Sequence, residues 1–225
     1  MSFIVGIDGP AGTGKGTITS VISKEMGLVN IDTGATYRCV ALYALRNNVK
    51  LEEKDKIISL LDEIDIDIKN DNGIQTIFLN GEDVSKEIRS KEVSSIVSQV
   101  SSIKEVRFKM VDVQRKLAEG KDVIMEGRDI TTYVFPNADV KIYLDADENI
   151  RAERRYKELK EKGTDISFEE VLENIRLRDK NDKEKEMGAL KIAEDAVYVD
   201  TSNLSIEEVK EKVKSIIMQV KERGK

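Results

Sequence analysis

Nine residues near the start of the chain, Gly9-Pro10-Ala11-Gly12-Thr13-Gly14-Lys15-Gly16-Thr17, have the make-up of a phosphate cradle. Glycines let a backbone wrap an anion, so that successive N–H groups point inward at its oxygens. Lys15 adds a point charge suited to β and γ phosphates, and the Thr17 hydroxyl can approach Mg2+. The strict pattern sets a hydroxyl directly after the lysine, but here Gly16 intervenes. The chain contains no histidine. Imidazole is therefore excluded as general base, metal ligand or pH switch. Cys39 is the only cysteine, so no internal disulfide and no thiolate zinc site can form. A buried thiol in a reducing cytoplasm is expected of it.

The elements that must hold this loop follow from pattern. Residues 3–7 are a short apolar run, read as a buried parallel strand entering the loop. A helix is predicted from Lys15 to Met26, with Ile18, Val21 and Ile22 at helical spacing. A second strand at 29–31 closes on Asp32-Thr33-Gly34 and leads into a helix striped by Tyr37, Val40, Ala41, Ala44 and Leu45. The period then changes to two: Ile64, Ile66 and Ile68 alternate with Asp65, Asp67 and Lys69. With Asn70-Asp71-Asn72-Gly73 and Asn80-Gly81 as turns, residues 64–84 read as a three-strand antiparallel meander inserted into the chain. Helical spacing resumes from Ile96 to Leu117 as two helices. Buried strands follow at 123–125, 140–144 and 196–199. Ser167 with Glu170, and Ser205 with Glu208, form capping boxes that open two later helices. Residues 151–186 carry 11 basic and 11 acidic side chains, as solvated helix faces do.

Outside the meander, strands alternate with helices, which predicts an α/β fold: a three-layer parallel sheet with helices on both faces. At about 150 residues per domain, 225 residues allow one domain with additions. The expected division is a core of about 1–63, 93–150 and 187–225, an inserted lobe of about 64–92 and a helical lid of about 151–186. Apolar residues make up 40% of the chain, enough for a core. A net charge of −6 argues against nucleic acid or an anionic membrane as partner. No apolar run approaches the roughly 20 residues of a membrane span. The N-terminal run lacks a basic flank and ends at Asp8, so it does not read as a signal peptide, and the expected location is the cytoplasm.

The order of short motifs resembles one family, the bacterial cytidylate kinases, which have the P-loop NTPase-type fold. Lys15-Gly16-Thr17 is a variant common among nucleoside monophosphate kinases. Asp32-Thr33-Gly34-Ala35-Thr36-Tyr37-Arg38 is similar to the family's Asp-Ser-Gly-Ala-x-Tyr-Arg segment. Gly81-Glu82-Asp83-Val84-Ser85 followed by Ile88-Arg89 resembles the motif of its inserted lobe. Glu126-Gly127-Arg128-Asp129 resembles its Asp-Gly-Arg-Asp segment, and Arg178-Asp179-x-x-Asp182 its Arg-Asp-x-x-Asp motif. The match runs along the chain in order.

The resemblance implies transfer of the γ-phosphoryl group of ATP to CMP or dCMP, with Mg2+ accompanying ATP. Such a reaction suits a chain without histidine. The attacking phosphate oxygen is already ionised, so catalysis is positioning plus charge neutralisation. By resemblance, Arg38 and Arg128 hold the acceptor phosphate, where a guanidinium fork matches paired oxygens. Asp32 and Thr33 belong to the same site and also suit a helix cap. Asp129 faces the base, with Arg107 and Ser98 beside it. A carboxylate there accepts from cytosine N4 and is left facing an acceptor by uracil. Arg178 and Asp182 hold the sugar hydroxyls. They share a helix face with position 185 by their spacing. Arg154 or Arg155, on the preceding helix, reaches the transferred phosphate once the lid closes over the site and excludes water.

The chain departs from the family pattern at four positions. Thr33 stands for serine and keeps the hydroxyl. Glu126 stands for an aspartate and reaches Mg2+-bound water with a longer arm. Thr131 replaces the glycine after Arg-Asp-Ile. Lys185 replaces an arginine and loses its fork. A P-loop kinase for another acceptor, such as UMP or AMP, and a non-catalytic nucleotide-binding regulator are the alternatives. The Gly-Arg-Asp and Arg-Asp-x-x-Asp segments favour CMP or dCMP as acceptor, and Lys15 with the arginines favours catalysis. The protein is expected to act as a monomer on small nucleotides.

Overall fold

A computed structural model describes residues 2–71, 74–161 and 163–223. Strand β1 (Ile4–Asp8) ends at the glycine loop and α1 (Lys15–Met26) begins inside it, followed by β2 (Val29–Asp32) and α2 (Thr33–Arg46). A short α3 (Lys54–Ser59) leads to β3 (Ile66–Asp71), β4 (Ile74–Leu79) and β5 (Glu82–Asp83). Then come α4 (Lys91–Val100), α5 (Lys104–Ala118), β6 (Val123–Gly127) and β7 (Val140–Asp145). The chain closes with α6 (Glu148–Glu161), α7 (Phe168–Glu184), β8 (Val197–Asp200) and α8 (Ile206–Arg223).

Two sheets form. The larger has five strands in the order β2-β6-β1-β7-β8, every neighbouring pair parallel. Alternation along β6 shows why both of its faces are covered: Val123 and Met125 enter one apolar layer and Ile124 the other. One layer includes residues of α2, α4 and α5, the other residues of α1 and α8. This is the α/β architecture expected from the strand–helix alternation.

The smaller sheet is the antiparallel meander, in the order β3-β4-β5. Its period-two pattern holds: Ile64, Ile66 and Ile68 are buried while Asp65, Asp67 and Lys69 face outward. Register pairs Asp71 with Ile74, and Asn72 and Gly73 of the expected first turn lie outside the described residues. Asn80 and Gly81 both have positive φ, the twist that joins adjacent antiparallel strands. Arg46 at the end of α2 forks onto Glu82 and also reaches Glu87, tying this sheet to the helix that carries Arg38. Both capping boxes are formed, at Ser167–Glu170 and at Ser205–Glu208. Among the described residues no helix is long and apolar enough to cross a membrane.

Candidate functional site

The residues singled out above gather at the carboxyl ends of the parallel strands, where open α/β sheets form their ligand crevice. A cleft of about 470 Å³ opens there. Its walls include Lys15 and Thr17 from the glycine loop, Asp32 and Thr33 after β2, and Glu126 to Asp129 at the end of β6. Arg178 and Asp182 reach it from α7. Among the described lining residues seven are cationic and five are acidic, in a chain of net charge −6. The cleft is therefore locally positive.

At one end Lys15 is buried and folded over its own loop. Its Nζ donates to Gly9 O at 2.8 Å, to Pro10 O at 2.6 Å and to Thr13 Oγ1 at 3.3 Å. Burial and then the charge on Arg128 pull its pKa down; Glu126 and Asp8 oppose this. Burial, then Asp32, push the Glu126 carboxyl up, against Lys15 and Arg128. Glu126 also reaches Gly16: a Cβ at position 16 would stand 2.8 Å from Glu126 Oε1, so a side chain there would require the flexible carboxylate to shift.

At the other end the charges are paired with one another. Asp32 Oδ1 caps α2 through Ala35 N, while its Oδ2 accepts from Arg38 at 3.4 Å and from Arg89 at 3.3 Å. Capping and charge pairing thus coexist in one carboxylate. Thr33 Oγ1 donates to Glu126 O at 2.6 Å. Arg128 Nε donates to Asp182 Oδ2 at 2.7 Å, and Lys185 Nζ donates to Asp182 Oδ1 at 2.8 Å. Burial disfavours the Asp182 carboxylate, but Arg128 and Lys185 together hold its pKa well below the usual range. Arg178 lines the cleft with no ion pair among the described residues. Burial and the neighbouring Arg128 draw its pKa down to about 10.

Deeper still, Arg107 and Asp129 form a close ion pair, both buried. Arg107 lies over the Tyr37 ring at 5.5 Å. A Cβ at Gly188, where φ is +65°, would collide with this pair, so the loop after α7 closes directly against it. Ser98, half-buried, lines the same end.

Three groups of the expected residues stand apart from the rest in this structure. Lys185 is not on the helix face with Arg178 and Asp182. Helix α7 ends at Glu184, and Lys185 is the capping residue with extended ψ, reaching back to Asp182 and to Ser101 Oγ. Arg154 and Arg155 do not line the cleft. Arg154 donates to Thr201 O and Oγ1 beyond β8, and Arg155 pairs with Glu158 on its own helix. Within the glycine loop, Gly9, Pro10 and Thr13 lie behind the cleft wall that Ala11, Gly12, Gly14 and Lys15 form.

Other residues of the site carried little signal. Asp8 is fully buried; its Oδ1 accepts from Ile130 N at 2.8 Å and its Oδ2 from Thr131 N at 2.7 Å. It thereby fixes the turn that presents Arg128 and Asp129. Thr131 Oγ1 adds a third bond to Asp8 at 2.6 Å, which gives the departure at 131 a physical purpose. An ionisable residue ending an apolar strand was the available clue. Ser101 and Gly188 are brought in by tertiary structure alone, and Arg89, part of the lobe motif, joins the cleft beside Asp32.

The family described as cytidylate kinase matches residues 5–219. A protein of Caldicellulosiruptor saccharolyticus named cytidylate kinase is 49% identical over 216 residues, 96% of each chain. One of the same name from Bacillus subtilis strain 168 is 43% identical over 215 residues, again 96% of each. Among solved structures, a gluconokinase from Sinorhizobium meliloti 1021 superposes with a TM-score of 0.51 at 11% identity, covering 99% of this chain and 94% of that one. At that identity the likeness concerns the fold alone.

Proposed function

This chain belongs to the cytidylate kinase family, and from that membership and the cleft together we propose that it transfers the γ-phosphoryl group of ATP to CMP or dCMP. The observation that carries the reading is a single cleft with a glycine loop and Lys15 at one end and the Arg107–Asp129 pair at the other. A donor triphosphate and an acceptor nucleotide can meet there head to head.

In this reading the loop from Gly9 to Thr17 wraps the β and γ phosphates of ATP with its N–H groups. Lys15 leaves its loop carbonyls for phosphate oxygens, and the anion restores the charge balance that burial disturbs. Arg38 and Arg128 receive the acceptor phosphate. Arg178, which has no ion pair among the described residues, is free to meet the sugar hydroxyls. Asp129, oriented by Arg107, accepts from cytosine N4, with Ser98 nearby. Asp182 and Lys185 meet the sugar. Lys185 offers a single ammonium where the family has a fork, and it is already engaged with Asp182.

The Thr17 hydroxyl lines the cleft and the Glu126 carboxylate lies against Gly16 beside it. These are hard oxygen donors, which fit Mg2+ bound mainly through phosphates and water. Such an ion would neutralise charge on the bridging phosphates when bound. Residues 64–92 act as an acceptor-side lobe that delivers Arg89 to Asp32, and residues 151–186 act as a lid over the donor. Arg155, exposed on α6, is the nearer candidate to swing inward, since Arg154 is tied to Thr201. We assign the protein to the cytoplasm as a monomer.

One coupled assay tests this: ADP release with ATP and Mg2+ against CMP, dCMP, UMP and AMP. Turnover with CMP and dCMP well above UMP and AMP is expected. Silence with every acceptor, or preference for UMP or AMP, overturns the proposal.

A further inference from the structure

Arg151 lies outside every motif of the site, yet its side chain is buried and each arm of its guanidinium meets a different part of the fold. Nε donates to Ala146 O, just past β7, at 2.9 Å. Nη1 donates to Ala11 O in the glycine loop at 3.1 Å. Nη2 pairs with Asp179 Oδ2 on α7 at 2.6 Å. The loop also rests on this residue from above: a Cβ at Gly12 would stand 3.1 Å from Arg151 Cβ and 3.2 Å from its carbonyl oxygen.

Asp179 lies on α7, next to residues of the cleft wall. Its neighbour Arg178 and, one turn on, Asp182 both line the acceptor wall. Asp182 in turn holds Arg128 and Lys185. A chain of direct contacts therefore runs from Ala11 through Arg151 and Asp179 to the face of α7 that bears the acceptor-side charges. The planar fork makes this chain stiff. A shift of α7 cannot break one contact without tilting the other two, and a lysine has no equivalent geometry.

The pair is poorly suited to serve stability alone. Asp179 Oδ1 is buried without a hydrogen-bond partner among the described residues, which is costly for a carboxylate. Buried ion pairs are commonly replaceable by packed apolar groups without loss of stability. The worth of this pair lies in where it holds α7 relative to the glycine loop.

We propose that Arg151 is a positioning residue that, through Asp179, couples occupation of the glycine loop to the affinity of the acceptor end of the cleft. The proposal rests on the reading of the cleft as an ATP and CMP site. By linkage the coupling is reciprocal, so each nucleotide tightens the other by the same factor.

The test is calorimetric titration of CMP into the enzyme alone and into enzyme saturated with Mg2+ and the β,γ-imido analogue of ATP. For the unmodified protein the analogue is expected to lower the Kd of CMP by about tenfold, within the range usual for such coupling. In Arg151→Lys and Asp179→Asn the ratio should fall to within about threefold of unity, with the Kd of CMP alone changed less than about threefold. A merely structural role would lower both affinities or the melting temperature and leave the ratio intact. If either variant fails to fold, Arg151→Met with Asp179→Leu replaces the pair by apolar groups and carries the same expectation. An unchanged ratio in folded variants overturns the proposal, as does a ratio of one in the unmodified protein. Failure of the unmodified protein to bind CMP or the analogue at all overturns the proposed function, and this inference with it.

Discussion

The two ends of the cleft hold charge in different ways. At the glycine loop the cation is satisfied by the loop itself, a few residues away: Lys15 folds onto the Gly9 and Pro10 carbonyls and the Thr13 hydroxyl. At the acceptor wall the two innermost arginines are satisfied by side chains distant in sequence, Arg128 by Asp182 and Arg107 by Asp129. A loop built from its own backbone can release its lysine to a ligand with small local change. A wall built from cross-chain ion pairs cannot lose one member without leaving a buried partner uncompensated. Damage at the loop should therefore appear in rate, and damage at the wall in rate, specificity and stability together.

The largest effect that would break this contrast is expected at Lys15. Lys15→Ala should lower kcat on the order of 1,000-fold with the circular dichroism and melting temperature unchanged. A comparable loss of thermal stability would show that the loop is not self-contained. Next comes Asp129→Asn. The ratio of kcat/KM for CMP over UMP should fall by at least about tenfold. The melt should also shift downward, because Arg107 loses its charged partner. An unchanged ratio would remove Asp129 from base recognition.

A third prediction concerns the turn behind the wall. A Cβ at Gly6 would meet Thr131 Cγ2 at 2.8 Å and Ile130 Cγ2 at 3.0 Å. Gly6→Ala should cost about 1–3 kcal/mol by overpacking. Thr131→Ser removes that methyl and keeps the hydroxyl on Asp8, so it should recover part of the loss in urea denaturation of the double variant. Strict additivity of the two changes would refute the contact.

The smallest effect is in pH. Asp182 is held below its unfolded pKa by Arg128 and Lys185 against burial, so it stabilises the fold at pH values above the unfolded value of about 3.9. That contribution is lost as pH falls from there towards the folded pKa. Asp182→Asn should flatten the acid side of a stability–pH curve and lower stability near neutrality. An acid limb as steep as before would place the linkage elsewhere.

The same contrast explains what could be read in the chain. The bounds of helix α1 are legible because a glycine loop and Gly27 mark its ends locally. Ser167 and Ser205 each speak for a turn of helix through a glutamate three residues on. The meander declared itself by period. Spacing alone puts Lys185 on the helix face with Arg178 and Asp182, because spacing continues past the point where the backbone leaves the helix. The departure follows from the close docking of Gly188 on Arg107 and Asp129, a contact with residues far back in the chain. The contacts of Asp8, Arg89 and Arg151 are hidden in the sequence for that same reason. Each acts on a segment distant in sequence, so no local pattern carries its role.

Cys39 lies on α2 one residue after Arg38, fully buried, and burial pushes its thiol up to about 12. In the closed fold it is therefore inert to thiol reagents at neutral pH. Being the only cysteine, it turns the natural chain into its own opening clock. When an electrophilic dye labels the protein, every event reports exposure of the helix that carries Arg38. The labelling rate, followed with and without nucleotide, reads how often that wall of the cleft comes apart.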